Sequence, residues 1–194
     1  MVVLYHSNIK LKDKSGNDSF FGRLEVNELL DVAIKYKEQL EKLQYNIWFN
    51  DKYKFWNNDT YYDAMTIDDS TWERHQFVSI KNEQIIGYIS YSVNRRCNYA
   101  YGLSIMNFTD DKVTFGMDLG QALQDIFEKY NFRKLNFCVI VGNPIEKSYD
   151  RMIKKYNGRI VGIFKDDVKL IDNKYYDTKH YEVTKENYMG AKNK

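Results

Sequence analysis

The segment from residue 134 to residue 162 constrains the fold of this chain more than any other stretch. It opens with a short, apolar, β-branched run, which predicts a strand that is covered on both faces. Gly142 and Asn143 interrupt this run, and Pro144, the only proline in the sequence, stands where a helix can begin. Apolar residues at helical spacing follow, and we expect Gly158 to end the helix as a left-handed cap. The segment therefore predicts a strand, a sharp turn, a helix and a second strand in immediate succession.

Hydrophobic periodicity predicts the other elements. Apolar residues at helical spacing indicate amphipathic helices, and short β-branched runs bounded by turn residues indicate strands. The predicted order is helix, three antiparallel strands, helix, strand, helix and two strands, which is an α/β mixed sheet in one domain. The expected bounds are a strand at 2–5, a helix at 26–43, an irregular segment at 45–75, strands at 77–80, 85–93 and 100–108, a helix at 115–130, strands at 134–141, 160–164 and 175–183, and a frayed tail at 187–194.

Composition and charge exclude several classes of protein. Hydrophobic residues make up 43% of the 194 residues and aromatic residues 16%, which is typical of a folded globular chain. The formal net charge is only +2, and basic and acidic residues are interleaved, so no basic stripe indicates a nucleic-acid surface. The apolar runs are too short for a membrane helix or a secretory signal. The 2 cysteines and 3 histidines are far apart, so we expect a cytoplasmic protein with reduced thiols and no metal site.

The pattern over residues 134–162 resembles the C-terminal half of the GNAT superfamily, the acyl-CoA-dependent N-acyltransferases. In that family a strand ends in an Asn, a helix that carries a Tyr follows, and a glycine leads into the next strand. Asn143, Tyr149 and Gly158 occupy these positions here. The order of elements over residues 20–183 is also that of the GNAT fold. The resemblance implies a divergent member with parallel central strands that splay apart and helices on both faces, and the abundance of Asn, Lys, Ile and Tyr is typical of a low-GC bacterium or its phages.

The resemblance also implies acetyl-CoA as the co-substrate. In the family the pantetheine arm pairs with exposed main-chain groups of the fourth strand, a role that falls to Ile105, Met106 and Asn107 here. An ordinary paired strand is the alternative interpretation of this run. Asn143 follows the fifth strand where the family's Asn contacts the cofactor, and the same residue can also cap the next helix.

The pyrophosphate of the cofactor requires backbone N–H groups at a helix N-terminus. The resemblance assigns this role to Thr114, Phe115 and Gly116. The family pattern begins with Gln or Arg and continues with two closely spaced small residues. Residues 113–118 contain one glycine and do not begin with a basic or amide side chain. We expect Asp118 to repel a nearby pyrophosphate. Either backbone groups alone bind the phosphates, or the site is degenerate. In the second case the small residues have only a packing role.

Tyr149 is the candidate general acid, because a phenol can protonate the thiolate that leaves a thioester. The gap from the preceding Asn is six residues, one shorter than is usual in the family, so a purely structural role in the core is the alternative, with Ser148 as a substitute donor. Glu73 and His75, at the entrance to the first hairpin strand, are the candidate general bases beside a chain of water molecules. The acidic, aromatic segment 61–73 would shape the pocket for a cationic amine, or would be a solvated loop.

Three functions are compatible with these features. The first is an N-acetyltransferase that moves an acetyl group from acetyl-CoA to a primary amine of a small molecule or a protein. The second is a GNAT-fold binding or structural module that has lost catalysis, which the incomplete phosphate pattern favours. The third is a phage effector that acetylates one host target. The sequence identifies neither the acceptor nor the general base, and it leaves open whether the chain forms an oligomer.

Overall fold

The computed structural model describes residues 11–12, 18–19, 26–48, 54–55, 67, 72–82 and 84–193. The strand expected at 2–5 and most of the segment 61–73 lie outside the described residues. The elements are β1 (Leu11–Lys12), β2 (Asp18–Ser19), α1 (Val26–Trp48), β3 (Arg74–Lys81), β4 (Gln84–Asn94), β5 (Tyr99–Asn107), α2 (Lys112–Gln124) continued by a π-helical turn (Asp125–Lys129), β6 (Lys134–Ile140), α3 (Glu146–Lys155), β7 (Arg159–Lys169), β8 (Tyr175–Thr184) and α4 (Lys185–Lys192).

The strands form one mixed sheet in the order β1-β2-β3-β4-β5-β6-β8-β7. Neighbouring strands are antiparallel except β5 and β6, which are parallel and are joined through α2. A parallel pair requires such a crossover, because the chain must return to the same end of the sheet. The α/β mixed sheet predicted from the order of elements is confirmed.

The two faces of the sheet carry separate hydrophobic clusters. On one face α2, α3 and α4 pack over the central strands, and Leu135, Phe127 and Tyr181 are among the most deeply buried side chains there. On the other face α1 packs over β3 and β4 and inserts Leu40, which is fully buried. Helices therefore cover both faces, as the resemblance implied.

The two parallel strands touch only where they begin. Ala100 pairs with Leu135 and Tyr101 pairs with Asn136, and no later residue of β5 pairs with β6, although β5 continues to Asn107 and β6 to Ile140. The strands therefore separate toward their C-terminal ends, which confirms the splay expected of the central pair.

A β-bulge accounts for the direction in which β5 leaves β6. Ser90 of β4 pairs with Ser104 of β5, and Ser92 pairs with Tyr101. One residue of β4 therefore lies opposite two residues of β5, which is a β-bulge on β5. Gly102 lies inside this bulge with φ +63°, a left-handed conformation that glycine adopts without steric penalty. Because a bulge bends its strand, the bend falls immediately after the last residue that pairs with β6.

Three expectations about where helices begin and end were wrong. The left-handed residue after α3 is Asn157 (φ +51°) rather than Gly158. Gly158 is needed for a different reason, because a Cβ at this position would lie 2.7 Å from the carbonyl oxygen of Glu182. Helix α3 begins at Glu146, two residues after Pro144. The tail is also ordered: α4 continues to Lys192.

The ordering of the tail has a clear physical cause. Thr184 caps α4 by accepting a hydrogen bond from the main-chain N–H of Asn187. Tyr188 is 5% exposed and stacks on Phe127 with ring centroids 4.7 Å apart. The hydroxyl of Tyr188 and the ammonium of Lys192 also donate to Glu128, at 3.1 and 2.6 Å, so the cap, the stacked ring and these contacts together hold α4 against the core.

Gly87 provides a test of the packing of α2 against the sheet. An added Cβ at Gly87 would lie 2.3 Å from the ring of Phe115 and 2.9 Å from the carbonyl oxygen of Met106. We expect Gly87→Ala to lower the free energy of unfolding by about 1–3 kcal/mol, the usual cost of overpacking. Gly120→Ala is the matched control, since nothing lies within 4 Å of its added Cβ, and it should be neutral or stabilising because alanine favours helix over glycine. Urea denaturation of both variants measures the difference, and equal stabilities would contradict this packing.

Candidate active site

The main chain of β5 faces the gap between β5 and β6 at alternate residues. The N–H of Phe108 donates to the carbonyl of Ile86 at 2.9 Å, which fixes the phase of the ladder with β4. In an antiparallel ladder alternate residues point their N–H and C=O groups to opposite sides. The main-chain groups of Met106 are therefore directed at β4, whereas those of Ile105 are directed toward the gap.

The structure separates the three residues that were expected to pair with a pantetheine arm. Ile105 has its main chain on the gap side. Met106 is 3% exposed, and its side chain packs in the cluster under α1. Asn107 ties the end of β5 to the next turn, because its amide donates to the carbonyl of Asp111 at 3.1 Å and its side-chain oxygen accepts from the N–H of Thr109 at 2.9 Å.

The N-terminus of α2, where a pyrophosphate was expected, already holds a carboxylate. Asp111 is the N-cap residue, and one of its oxygens accepts from the N–H of Thr114 at 2.9 Å. The second oxygen accepts from the hydroxyl of Thr114 at 2.9 Å and from the ammonium of Lys81 at 2.7 Å. The position that attracts an external anion is therefore occupied by an internal one.

The charge of Asp111 is strongly stabilised in this setting. The hydrogen bond from Lys81 and the N–H of Thr114 lower the pKa of Asp111 to about 2, so the carboxylate is ionised throughout the neutral range. Of the residues expected to bind phosphates, Phe115 is buried over Gly87 and Gly116 is exposed with open space around its Cα. The first turn of α2 is thus closed by its own cap, whereas Gly116 on the next turn is accessible.

Asp118 does not face a cofactor site. It is 6% exposed, lies one turn beyond Thr114 on the inner face of α2, and accepts a hydrogen bond from the hydroxyl of Ser79 on β3. Burial raises the pKa of Asp118 to about 7, with the hydrogen bond from Ser79 opposing and the charge of Asp111 reinforcing the shift. The expected repulsion of a pyrophosphate by this residue therefore has no structural basis.

The turn after β6 is fixed by side-chain hydrogen bonds. The side-chain oxygen of Asn143 accepts from the N–H of Ile145 at 3.1 Å, and its carbonyl accepts from the N–H of Glu146 at 2.9 Å. The carboxylate of Glu146 accepts in turn from the N–H of Gly142 at 3.0 Å. Asn143 thus shapes the entry to α3 and lies at the C-terminal end of β6, the end at which β6 has separated from β5.

Tyr149 is a core residue by location. It is 4% exposed and makes edge-to-face contacts with Phe137, with ring centroids 5.0 Å apart, and with Tyr181 at 6.1 Å. Burial raises the pKa of Tyr149, with further contributions from Cys138 and Tyr181. A phenol with a raised pKa stays protonated but is a weaker acid toward a thiolate. Ser148, the alternative donor, accepts a hydrogen bond from Arg151 at 3.1 Å.

The two candidate bases are in contrasting environments. His75 is 2% exposed, stacks on Tyr91 at 5.1 Å, and has its pKa lowered to about 3, chiefly by burial, so it is neutral and enclosed. Glu73 is exposed, and its carbonyl accepts from the N–H of Val93 at 2.7 Å. Val93 also pairs with Ala100 at the end of β5 that contacts β6. Glu73 therefore lies beside that end of β5, and two strand spacings, about 10 Å, separate the main chain of Glu73 from that of Ala100.

Sequence reasoning missed Asp111, Lys81 and the bulge at Gly102. The N-cap role of Asp111 could have been predicted, because an Asp in a polar turn three residues before Thr114 is a normal N-cap arrangement. The contribution of Lys81 is long-range and has no local signal. Among the described residues no group of three potential metal ligands occurs, and no described helix is long and apolar enough to cross a membrane.

Comparison with known proteins identifies the fold. No protein-family model matches the sequence, and no curated protein matches it significantly. Among solved structures, a probable acetyltransferase aligns with a TM-score of 0.61 at 18% identity, over 78% of this chain and 89% of that chain. The spermidine/spermine N-acetyltransferase SpeG from Vibrio cholerae, solved with manganese ions, aligns with a TM-score of 0.56 at 16% identity, over 77% of this chain and 90% of that chain.

Other acetyltransferase structures match over shorter stretches. In two of these comparisons the chain spans only 61% and 63% of the other protein, the second being from T. thermophilus. At these low identities the likeness establishes the fold. The chain has the GNAT fold that the resemblance implied, in common with these acetyltransferase structures.

Asp118 makes the stability of the fold depend on pH. Its folded pKa of about 7 lies above the unfolded value of 3.8, so the wild type loses stability as pH rises from about 4 to about 7 and then levels off. Asp118→Asn keeps an acceptor for Ser79 and removes this titration. We expect the free energy of unfolding of the variant to exceed that of the wild type by about 2–4 kcal/mol at pH 8 and by little at pH 4. Chemical denaturation across this range measures the difference, and a difference that is constant with pH would contradict a buried, titrating carboxyl.

Proposed function

We propose that this protein transfers an acetyl group from acetyl-CoA to a primary amine. The observation that carries the proposal is the gap between β5 and β6, which are paired only at Ala100–Leu135 and Tyr101–Asn136. The main chain of Ile105 is directed into this gap. An extended arm with amide groups can add to such a strand as a further strand would, which is the chemistry of a pantetheine chain. The gap therefore fits the arm of the cofactor.

Direct acyl transfer requires donors for the carbonyl oxygen, a nucleophilic amine and two proton transfers, and we assign these roles to residues of this chain. Acetyl-CoA, when bound, supplies the acetyl group as a thioester. The main-chain N–H groups of β5 on the gap side donate to the carbonyl oxygen as it gains negative charge. The amine nitrogen forms the new C–N bond, the C–S bond breaks, and the sulfur leaves with its electron pair and takes up a proton. We assign that proton to Tyr149, with Ser148 or water as the alternative donor. We assign the proton lost by the ammonium to a chain of water molecules that leads to Glu73 or to bulk solvent, because Glu73 lies about 10 Å from the paired end of β5.

An amine acceptor follows from the same reasoning. The neighbours from V. cholerae are named spermidine N-acetyltransferases, which makes spermidine the first acceptor to screen. A peptide with a free N-terminus is the second, because it offers the same nucleophile on a polymer. The two acceptors differ in net charge and in length, so a response to one of them reports the class of substrate.

A catalytically inactive binding module is the competing proposal, and one specific observation favours it. The carboxylate of Asp111 occupies the N-terminus of α2 with Lys81 as its counter-ion at 2.7 Å. A pyrophosphate at the same position would be repelled by this charge. Binding of acetyl-CoA therefore requires either displacement of Asp111 or a phosphate position displaced toward the exposed Gly116.

Acetyl-CoA binding and turnover distinguish the two functions. A ligand at a hundredfold excess over its dissociation constant stabilises a protein by about 2.7 kcal/mol. We expect a rise in melting temperature with acetyl-CoA and release of free thiol when spermidine or a peptide is added. Gly116→Glu should abolish the rise, and Gly120→Glu, one turn further along α2, is the control. Binding without thiol release for any amine would establish the binding module, and no response to millimolar acetyl-CoA would end the acetyltransferase proposal.

Asp111 should limit the affinity for acetyl-CoA. Asp111→Asn keeps an acceptor for the N–H of Thr114 and removes the negative charge from the N-terminus of α2. We expect the dissociation constant for acetyl-CoA to fall by roughly 5- to 20-fold, since one neighbouring charge is worth about 1–2 kcal/mol at a partly exposed site. Calorimetry at low and high salt measures the effect, which should shrink with salt. An unchanged or weaker affinity would mean that the phosphates bind away from this helix end.

Tyr149→Phe tests the general acid. If the phenol protonates the leaving sulfur, turnover falls by roughly 10²-fold with the affinity for acetyl-CoA nearly unchanged. If the ring only packs edge-on against Phe137 and Tyr181, turnover is retained and stability changes by about 1 kcal/mol. Steady-state rates of the two proteins decide between these outcomes, and equal rates would transfer the role to Ser148 or water.

A further inference from the structure

A histidine, a threonine and an aspartate meet on the face of the sheet opposite α3. Nε2 of His180 lies 2.9 Å from the hydroxyl oxygen of Thr178, and this hydroxyl donates a hydrogen bond to the carboxylate of Asp167. The same carboxylate lies 3.8 Å from Nε2 of His180. Thr178 is 1% exposed, so water does not compete for its hydroxyl. The three side chains form one hydrogen-bonded chain, which we call the His180 relay.

The relay fixes where the imidazole carries its hydrogen. A hydroxyl has one hydrogen to donate, and that of Thr178 is donated to Asp167. The oxygen of this hydroxyl therefore accepts from His180, which places the ring hydrogen on Nε2. In this tautomer Nδ1 has a free lone pair and is the ring atom that can take up a proton. The ring of Phe164, with its centroid 4.3 Å from that of the imidazole, packs against the imidazole and limits its rotation.

The His180 relay lies beside the gap between β5 and β6. His180 pairs with Cys138 of β6, so the two side chains point to the same face of the sheet. Cys138 comes two residues after Asn136, the last residue of β6 that pairs with β5, and therefore borders the gap. Cys138 is exposed, and 29% of the His180 side chain is accessible. One strand spacing, about 5 Å, separates the main chain of His180 from the β6 rim of the gap.

Glu73 is less well placed to take a proton from a group in the gap. Its main chain lies about 10 Å from that of Ala100, beside the end of β5 where the two parallel strands still pair. His180 is level with Cys138, at a height where β5 and β6 have already separated. Its position is therefore both nearer to the gap and at the correct end of it.

Strand β6 also separates the two proton transfers that acyl transfer requires. Phe137 and Cys138 are successive residues of this strand, so their side chains point to opposite faces of the sheet. Tyr149, the proposed acid, packs on Phe137, whereas His180 lies beside Cys138. An amine can therefore lose its proton on one face while the departing sulfur gains a proton on the other.

We propose that His180 is the general base that accepts the proton of the acceptor ammonium, directly or through one water molecule, with Thr178 and Asp167 as positioning residues. This inference rests on the proposed acetyl transfer to a primary amine, and it puts His180 in the place of Glu73. One N–H bond of the ammonium breaks, and its electron pair stays on nitrogen as the lone pair that attacks the thioester. The proton binds Nδ1 of His180, and the imidazolium later releases it to solvent.

The basicity of the acceptor tests this role. Spermidine is protonated at neutral pH and needs a base, as other alkylamines do, whereas hydroxylamine is largely unprotonated and needs none. His180→Gln keeps a donor for the hydroxyl of Thr178 but cannot accept a proton. With spermidine or a peptide we expect kcat for thiol release to fall roughly 10²-fold. With hydroxylamine, after subtraction of the uncatalysed reaction, we expect a change of about twofold at most.

Two further variants complete the experiment. Tyr176→Phe is the matched control, because Tyr176 lies on the same face of β8 and its hydroxyl contacts only the exposed Asp172 among the hydrogen bonds given for it; it should change neither rate. Thr178→Val keeps the shape of the side chain and breaks the relay. We expect it to lower kcat with spermidine and to leave the KM for acetyl-CoA unchanged. Nitrogen-15 NMR of the imidazole should show the Nε2–H tautomer in the wild type and a mixture of tautomers in Thr178→Val.

The outcomes separate this inference from the function on which it rests. A wild type that releases thiol with no amine, hydroxylamine included, ends both. An active wild type whose His180→Gln variant keeps its rate with spermidine or a peptide overturns the role of His180 alone. An equal loss with hydroxylamine also overturns it, because the residue would then be structural. An Nδ1–H tautomer in the wild type contradicts the relay without any measurement of turnover.

Discussion

The short contact between β5 and β6 is the constraint on which the rest of the structure depends. Two residue pairs, Ala100–Leu135 and Tyr101–Asn136, hold the parallel strands together, and the bulge at Gly102 bends β5 away at once. Because β4 pairs with β5 and β8 pairs with β6, the sheet stays continuous around the gap. The two hydrophobic clusters keep the separated strands in place from opposite faces, so the gap is a property of the whole fold.

The start of α2 illustrates a competition between folding and ligand binding. The helix dipole and the free N–H groups would favour an anion at this end, and the fold satisfies them internally with Asp111 and adds Lys81 as a counter-ion. Each of these contacts supports the native state. The same contacts would repel a phosphate at that position, so the features that order the turn would also weaken the binding of a phosphorylated ligand there.

Several features were predictable because they have a local cause. Apolar periodicity placed the ends of β3–β6, β8, α2 and α3 to within about three residues, since periodicity records which side of an element is buried. Strand β7 and helix α1 each continue five residues beyond the expected end, to Lys169 and Trp48. The parallel arrangement of β5 and β6 followed from the helix between them. Predictions failed where the cause was distant. Gly158 is required by the carbonyl of Glu182, and α4 is held by the stacking of Tyr188 on Phe127, contacts that no local pattern reveals.

The sequence by itself determined the order of the elements, the class of the sheet and the resemblance to the GNAT fold, because all three depend on short-range patterns of burial and turn residues. The tertiary structure alone decided what the individual side chains do. It buried Asp118 against Ser79, packed Tyr149 edge-on against Phe137 and Tyr181, and turned Met106 toward α1. The physical reason is that burial, and with it the pKa and accessibility of a group, depends on residues that meet only when the sheet and helices pack together.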